Sequence, residues 1–122
     1  SLVVGKPAAM MLMQKNATIT ICHTRTVDPA AVCREADIII SAAGVLNSLT
    51  KDFVREGQIV IDVSMNWNPE KITSKGKGGM SGDCIFEEVE PIVEAITPVP
   101  GGVGAVTTSV LMKHVVEAAE KV

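Results

Sequence analysis

The chain has 122 residues, 47% of them hydrophobic and 20% charged, with a formal net charge of −3 at pH 7. This length and composition predict one globular domain, and the acidic balance excludes nucleic-acid and membrane-surface binding, because both need a basic surface. No apolar run approaches the ~20 residues that span a bilayer. We also expect no signal peptide, since the first residues lack a basic segment followed by a long apolar one.

The cysteines and methionines are expected to serve packing rather than chemistry. Cys22, Cys33 and Cys84 match no spacing typical of a zinc site, so no metal is expected. Buried free thiols behave as small hydrophobic groups, and their reduced state favours a cytoplasmic location. A methionine cluster is expected in the core, and its members are Met10, Met11 and Met13.

Helical and extended patterns alternate from the start of the chain. Pro7 suits the first position of a helix because its missing N–H is not needed there, and good helix formers continue over 8–15. A strand is predicted over 17–23. Asp28 followed by proline then predicts an N-cap and the first turn of a short helix that ends at Ala36.

The rest of the chain continues this alternation. The further predicted elements are a strand over 38–43, a short helix over 51–55 capped by Thr50, a strand over 58–64, a surface loop over 66–82, a short helix over 87–93, a strand or strand edge over 95–99 and an amphipathic helix over 105–121. The order predicts an α/β fold, a Rossmann-like doubly wound parallel sheet. Its first strand is expected before Ser1, because the chain opens on a loop-to-helix transition.

The segment after the 17–23 strand is a candidate nucleotide contact. In dinucleotide-binding sheets this position meets the adenosine ribose, where a carboxylate favours NAD and a basic residue favours the 2′-phosphate of NADP. Here Thr24 and Arg25 follow the strand, and no carboxylate comes before Asp28. Hydroxyl and guanidinium donors suit a phosphate, although a solvated basic loop explains the same residues.

Small residues mark further candidate positions. Ala43 and Gly44 follow the 38–43 strand, where small side chains let a ribose or a flat ring approach the backbone. The same holds for 62–66, and tight turns account equally well for both segments. The helix start at Gly5 offers amides to a phosphate, or is an ordinary turn.

Residues 97–104, Thr-Pro-Val-Pro-Gly-Gly-Val-Gly, form the strongest candidate binding loop. Two prolines and three glycines make the loop stiff at one end and permissive at the other. Between a strand and a helix, it is expected at the carboxyl edge of the sheet, where ligands bind. Thr107 and Thr108 are expected at the start of the following helix, to cap it or to contact a ligand. A purely structural loop is the alternative.

Several motifs occur together in a specific order. They are Ser1 with Val3-Val4-Gly5-Lys6-Pro7, Cys22-His23-Thr24-Arg25-Thr26, Ile61-Asp62-Val63 with Asn66, Gly82-Asp83 with Phe86-Glu87-Glu88-Val89, and Pro98-Val99-Pro100-Gly101-Gly102-Val103-Gly104. In these motifs the chain resembles the tetrahydrofolate dehydrogenase/cyclohydrolase family, over most of that family's NAD(P)-binding domain. Each motif alone is modest support, whereas five in the same order are specific.

The resemblance implies an activity for the complete enzyme. It implies oxidation of 5,10-methylenetetrahydrofolate to the methenyl form with NADP, followed by hydrolysis to 10-formyltetrahydrofolate, in one-carbon metabolism. Residues 1–122 would be most of the NAD(P)-binding domain, and the catalytic residues would lie in an N-terminal folate-side domain absent from this chain. The implied partners are the folate substrate, bound through that domain, and a second copy in a homodimer.

The resemblance also assigns cofactor contacts residue by residue. They are Ser1, Thr24 and Arg25 at the 2′-phosphate and adenosine end, Ala43 and Gly44 along the dinucleotide, Gly101, Gly102 and Val103 at the nicotinamide and folate cleft, and Thr107 at the adjoining helix start. The chain departs from the family pattern at Ser64, where glycine is usual, at Ile85, where aspartate is usual, and at Ala105-Val106, where Pro-Met is common.

Two other functions stay open on sequence alone. One is a stand-alone nucleotide-binding or regulatory module without chemistry of its own. The other is the cofactor domain of another α/β oxidoreductase, such as a shikimate dehydrogenase-like enzyme, and the 97–104 loop argues against it.

Overall fold

The computed structural model of the protein describes residues 3–121. Its helices are α1 (Gly5–Gln14), α2 (Pro29–Arg34), α3 (Phe86–Val89) and α4 (Val103–Glu120), and a 3-10 turn spans Lys51–Phe53. Its strands are β1 (Ile38–Ser41), β2 (Ile59–Asp62), β3 (Asn66–Thr73), β4 (Gly76–Ser81) and β5 (Ala95–Ile96). These strands form a three-stranded sheet and a two-stranded sheet.

The three-stranded sheet is parallel, with strand order β1-β2-β5. Its register pairs Ile39 with Val60 and Ser41 with Asp62, so the last residues of β1 and β2 lie side by side. Every second residue of β1 and β2 is buried, as the two-residue repeat of a strand requires when one face packs on the core. The predicted α/β fold with a parallel sheet is confirmed.

The core gathers residues from the sheet, from α3 and from the connecting segments. Its buried hydrophobic members are Ile39, Leu49, Val54, Val60, Cys84, Val89 and Val93. This core is aliphatic, in keeping with a sequence in which only 2% of the residues are aromatic. Burying one such valine or leucine side chain stabilises the fold by about 1.5–3 kcal/mol.

Helix α2 begins as the sequence predicts. Asp28 caps it by accepting a backbone N–H at 3.3 Å, and Pro29 is its first residue. At the other end, the fully buried Gln58 donates its side-chain amide to the carbonyls of Cys33 and Ala36, both at 2.8 Å. These bonds add donors to two carbonyls at the end of α2, and they attach α2 to the start of β2.

Other predicted elements are present with shorter bounds. Thr50 caps the 3-10 turn by accepting the N–H of Asp52 at 3.3 Å. The predicted strand over 95–99 is reduced to β5, because Pro98 and Pro100 have no N–H to donate to a neighbouring strand.

The prediction of a surface loop over 66–82 is wrong, because β3 and β4 pair there as an antiparallel hairpin. Trp67 pairs with Met80, and its ring lies against Gly78, where an added Cβ would be 2.7 Å from the ring atom Cζ2. Gly76, with φ +115°, follows the two turn residues 74–75 and begins β4. The glycines that suggested a loop therefore serve a turn and cross-strand packing.

The prediction of a strand over 17–23 is also wrong. Within the described residues this segment pairs with no strand, and β1 pairs only with β2. An extended segment becomes a strand only where a neighbour satisfies its N–H and C=O groups. Helix α1 begins at Gly5, so Pro7 is its third residue rather than its first; proline is tolerated there because first-turn N–H groups have no intrahelical acceptor.

Helices α1 and α4 contain no buried residue. The expectation that Met10, Met11 and Met13 pack in the core is therefore wrong, since they are 59%, 68% and 58% exposed. The apolar side of α4 is likewise uncovered by any element of residues 3–121; its large exposed hydrophobic residues are Val106, Val110, Leu111, Met112, Val115 and Val116. Across the described part of the chain, no helix is long and apolar enough to cross a membrane.

The three cysteines differ in environment. Cys84 is buried as expected and Cys33 is half-buried, but Cys22 is exposed, because the 17–23 segment is not part of a sheet. Burial raises the pKa of Cys33 to about 11, and the Cys22 thiol nearby adds to that rise. Burial and the negative charge of Asp62 raise the pKa of Cys84 as well.

Candidate functional site

The carboxyl ends of β1, β2 and β5 lie at one edge of the parallel sheet. Three loops leave this edge, over residues 42–48, 63–65 and 97–102. In open parallel sheets, ligands bind at the carboxyl ends of the strands. The structure therefore brings Ala43 and Gly44 to the same edge as the glycine-rich loop, as the sequence predicts.

One buried carboxylate, that of Asp83, ties two of these loops together. The residue is fully buried. Its carboxylate accepts hydrogen bonds from the hydroxyls of Ser41 and Ser64, both at 2.9 Å, and from the side-chain amide of Asn66 at 3.1 Å. Because donors come from the end of β1 and from the segment after β2, this one group fixes the two strand ends relative to each other.

Three successive backbone amides complete the partners of Asp83. The N–H groups of Ala43, Gly44 and Val45 donate to its carboxylate at 2.9, 3.3 and 2.9 Å. Successive N–H groups of this kind form an anion-binding concavity, and Gly44 makes it possible with a left-handed φ of +72°. The protein fills this concavity with its own carboxylate, so a bound ligand would meet the open side of Gly44, where an added Cβ has no atom within 4 Å.

The hydrogen bonds keep Asp83 charged. Burial is the largest single influence and favours the neutral form, but donors from Ser64, Asn66, Ser41 and the Ala43 amide together outweigh it. They hold the pKa of Asp83 below its ordinary value. At neutral pH the group is therefore an ionised acceptor that organises the loops, and not a proton donor.

Asp62, at the end of β2, is a second buried anchor. It is 3% exposed, and its carboxylate accepts the N–H groups of Asp83 at 3.2 Å and Cys84 at 2.9 Å. Gly82 makes room for this approach, since an added Cβ would lie 2.0 Å from a carboxylate oxygen of Asp62. The backbone N–H of Asp62 donates to the hydroxyl of Thr97 at 2.8 Å, which attaches the third loop to the same anchor.

The 97–104 loop has a constrained backbone. Its peptide bond before Pro100 is cis, and Gly101 has a φ of +95°, in the left-handed region that favours glycine. Gly102 lies so close to Pro98 that an added Cβ would be 2.3 Å from the Pro98 carbonyl oxygen. Both glycines are therefore required by the shape of the loop.

Helix α4 begins at Val103, two residues earlier than predicted. Thr107 and Thr108 consequently lie in its second turn, and their hydroxyls donate to the carbonyls of Val103 and Gly104 at 3.0 and 3.1 Å. Thr107 therefore lies inside the helix rather than at its predicted start and does not cap it, while the alternative, a contact with a ligand, stays a prediction. The loop passes directly into the helix because its final residues adopt helical geometry.

Thr24 and Arg25 lie in an exposed turn before α2. The turn is shaped by its own residues: Arg25 donates its N–H to the ring nitrogen Nδ1 of His23 at 3.1 Å, and His23 donates its N–H to Thr26 at 2.8 Å. Within residues 3–121, the Arg25 guanidinium makes no hydrogen bond or ion pair, and no hydrogen bond joins this turn to the loops at the sheet edge. Ser1 lies outside the described residues.

The polar residues that build the edge were not predicted from the sequence. Asp83 entered only as part of a family motif, while Ser41 and Ser64 were in segments noted for their small residues. One signal was present: Asp83 sits between Gly82 and Cys84 in a stretch with apolar neighbours, and a buried carboxylate there needs several donors.

Among residues 3–121, no group of three or more histidine, cysteine, aspartate or glutamate side chains could hold a metal ion.

Comparison with known protein families identifies the domain that contains this sheet edge. The family model for tetrahydrofolate dehydrogenase/cyclohydrolase, NAD(P)-binding domain, matches residues 1–122. The chain belongs to this family. Its parallel sheet is accordingly that of a Rossmann-like NAD(P)-binding domain, and an origin in another α/β oxidoreductase is set aside.

Curated relatives of this family match nearly the whole chain. The bifunctional protein FolD of Carboxydothermus hydrogenoformans is 54% identical over 120 residues, which are 98% of this chain and 40% of the relative. The bifunctional protein FolD of Clostridium botulinum (strain Okra) is 47% identical over 121 residues, 99% of this chain and 40% of the relative. The chain thus spans about 40% of the length of these relatives.

Solved structures agree with this family membership. The FolD methylenetetrahydrofolate dehydrogenase/cyclohydrolase of Campylobacter jejuni superposes with a TM-score of 0.85 and 44% identity, over 99% of this chain and 40% of that one. The Trypanosoma brucei methylenetetrahydrofolate dehydrogenase-cyclohydrolase, complexed with NADP cofactor and inhibitor, has a TM-score of 0.80 and 36% identity, over 91% and 38%.

Proposed function

We propose that this chain is the NADP-binding part of an enzyme that oxidises 5,10-methylenetetrahydrofolate to 5,10-methenyltetrahydrofolate and hydrolyses that product to 10-formyltetrahydrofolate. Residues 1–122 form most of its NAD(P)-binding domain, and the folate-side catalytic residues belong to an N-terminal domain of the complete enzyme. The observation that carries this proposal is the family match over 1–122, joined to a sheet edge whose loops are fixed by Asp62 and Asp83.

The residues of this chain fit a dinucleotide. Gly44 presents open backbone at the carboxyl end of β1, where a ribose or pyrophosphate can approach closely. The guanidinium of Arg25 makes no bond to described protein groups and suits a 2′-phosphate. The proposed contacts are Ser1, Thr24 and Arg25 at the adenosine end, Ala43 and Gly44 along the dinucleotide, and Gly101, Gly102, Val103 and Thr107 at the nicotinamide end.

The contribution of this chain is binding and placement. When bound, NADP would accept the hydride that the methylene carbon of the folate loses. The 97–104 loop would line the cleft between nicotinamide and folate, and its attachment to Asp62 through Thr97 limits its movement. Holding two reactants in a fixed geometry accounts for a large share of such rate enhancements.

The same proposal includes the oligomeric state and the cellular location of the complete enzyme. The complete enzyme binds folate through its N-terminal domain, is a homodimer and works in the cytoplasm. The uncovered apolar faces of α1 and α4 support a larger assembly, because contiguous exposed apolar surface commonly marks a region that other parts of a protein cover. Light scattering on the complete enzyme tests the dimer, and a monomeric mass would contradict it.

Ligand-induced stabilisation tests the choice of cofactor. In the complete enzyme, NADP at about 100 times its Kd should raise the free energy of unfolding by roughly 2.7 kcal/mol. NAD at the same concentration should raise it less. Arg25→Ala should reduce the effect of NADP and leave that of NAD unchanged, because only NADP carries the 2′-phosphate.

Lys75→Ala is the matched control, since Lys75 is another exposed cation, at the tip of the hairpin and outside the sheet edge. It should leave both cofactor effects unchanged. Stabilisation by NAD equal to or larger than that by NADP would contradict the assignment of the 2′-phosphate to Thr24 and Arg25.

A further inference from the structure

One side chain connects the hairpin to the 97–104 loop. The ammonium of Lys71 donates to the carbonyl of Val99 at 3.1 Å and also to the carbonyl of Met80 within the hairpin. Across residues 3–121, the bond to Val99 is the only hydrogen bond between the hairpin and this loop. Val99 lies two residues before Gly101, one of the proposed contacts in the nicotinamide and folate cleft.

A β-bulge in β3 directs the side chain of Lys71 toward the 97–104 loop. The pairing of β3 with β4 shifts register between Asn68 and Ile72, so β3 carries extra residues there. Asn68 shapes the bulge by accepting the N–H of Glu70 at 3.0 Å, and Pro69 is tolerated because an unpaired bulge position needs no N–H. Bulges redirect side chains and are common beside binding sites.

Gly79 gives the aliphatic part of Lys71 its path across the hairpin. A Cβ added at position 79 would lie 3.3 Å from Cδ of Lys71 and 2.9 Å from Cγ2 of Thr73. A side chain at this position would therefore crowd both Thr73 and the aliphatic part of Lys71. The hairpin is built to let this lysine cross it.

The hydrogen bond, rather than close packing, sets the distance between hairpin and loop. A cavity of about 550 Å³ lies between the hairpin, residues 85–87 and residues 97–99, and both Lys71 and Val99 line it. Within the described residues Lys71 has no carboxylate partner, so its two carbonyl acceptors determine where the ammonium lies.

We propose that Lys71 is a positioning residue for hydride transfer, because its ammonium fixes the Val99 carbonyl and with it the loop that places the nicotinamide against the folate. The inference rests on the proposed function. Without this bond, NADP and folate still bind but are less well aligned. Loss of the bond should therefore lower the rate of oxidation more than the rate of hydrolysis of the methenyl product, because hydrolysis does not use the nicotinamide.

The test compares Lys71→Met with Lys71→Arg and Lys77→Met in the complete enzyme. Lys77→Met is the matched control, because Lys77 lies on the same hairpin and its ammonium pairs with exposed Glu70 at 3.1 Å and makes no bond to the described residues of the loop. Lys71→Met should lower kcat for NADP-dependent oxidation about tenfold while cyclohydrolase kcat stays within about twofold. Lys71→Arg, which can still donate to both carbonyls, should keep most of the oxidation rate, and Lys77→Met should keep all of it.

The remaining outcomes would contradict either the positioning role of Lys71 or the proposed function. Equal loss of both activities in Lys71→Met, or the same loss in Lys77→Met, would indicate general destabilisation and overturn the positioning role. An unchanged oxidation rate in Lys71→Met would overturn it too. If Lys71→Met does not fold, Lys71→Gln, whose side chain is uncharged and one atom shorter, should show the same split. A wild-type enzyme without NADP-dependent oxidation would instead contradict the proposed function itself.

Discussion

The backbone N–H of Asp83 donates to the carboxylate of Asp62 at 3.2 Å, and both residues are almost wholly buried. Asp62 thereby holds the segment after β4 against the end of β2, and Asp83 in turn holds the segments that follow β1 and β2. Two linked carboxylates thus organise the loops at the sheet edge: Asp62 holds Asp83, and Asp83 holds the loops. An edge fixed by the protein's own groups lowers the ordering cost of binding a ligand there.

Replacing the central carboxylate should weaken the whole edge. Asp83→Asn keeps the shape of the side chain but puts an NH₂ group where only donors point, so at least one buried donor loses its acceptor. The free energy of unfolding should fall by about 3 kcal/mol, measured by urea denaturation. Asp37→Asn is the control, because its side chain is fully exposed, and its effect should stay within about 0.5 kcal/mol. Equal effects of the two variants would contradict the role assigned to Asp83.

The lowered pKa of Asp83 predicts a particular acid sensitivity. A carboxylate whose pKa is lower in the folded than in the unfolded chain stabilises the fold fully above its unfolded pKa of about 4, and the contribution is lost as pH falls through the folded pKa. The difference in unfolding free energy between wild type and Asp83→Asn should therefore shrink between pH 7 and pH 3. Urea titrations at several pH values measure it, and a difference that stays constant or grows would contradict the prediction.

Two neighbouring glycines should respond oppositely to alanine. Gly102→Ala places a Cβ 2.3 Å from the Pro98 carbonyl oxygen and should cost about 1–3 kcal/mol of unfolding free energy. Gly104→Ala meets no atom within 4 Å and lies inside α4, so it should stabilise the chain by about 0.5–1 kcal/mol. Thermal and urea unfolding of both variants test the contrast. A neutral Gly102→Ala would show that the loop does not need glycine there.

The three thiols should differ sharply in reactivity. Cys22 is exposed, whereas Cys33 is half-buried with a pKa raised to about 11 and Cys84 is buried with a raised pKa. Because the thiolate is the reactive form, Ellman's reagent at pH 8 should label one thiol per chain rapidly. Cys22→Ser should abolish that fast phase. Two fast thiols would contradict the described burial.

The parallel sheet was predictable because its signal is local. Runs of Ile and Val in β1 and β2 are bounded by polar residues, so both strands could be located from sequence alone. The 17–23 segment shows the same kind of pattern but pairs with nothing in the described chain, and a pattern carries no information about whether a neighbour exists. Hairpin β3–β4 was missed for the opposite reason: its glycines look like loop residues until the Trp67 ring is seen against Gly78.

The candidate site was predictable in place but not in construction. Sequence patterns put Ala43, Gly44 and the 97–104 loop at one edge of the sheet. They did not show that the amides of Ala43 and Gly44 donate to Asp83. Along the chain, Asp83 is 40 positions from Ala43 and 39 positions from Gly44. Contacts so distant in sequence leave no periodic trace, and the same holds for the bond between Lys71 and Val99.

The rate of NADPH formation from 5,10-methylenetetrahydrofolate tests whether this chain is the cofactor half of a dehydrogenase. It should be measured for the complete enzyme that contains this chain and, in parallel, for the 122-residue chain alone. We expect NADP-dependent turnover by the complete enzyme and none by the chain alone, because hydride transfer needs the folate held against the nicotinamide. A complete protein that binds NADP without turnover would contradict the proposed function and favour a regulatory module. Turnover by the chain alone would show that residues 1–122 contain catalytic residues.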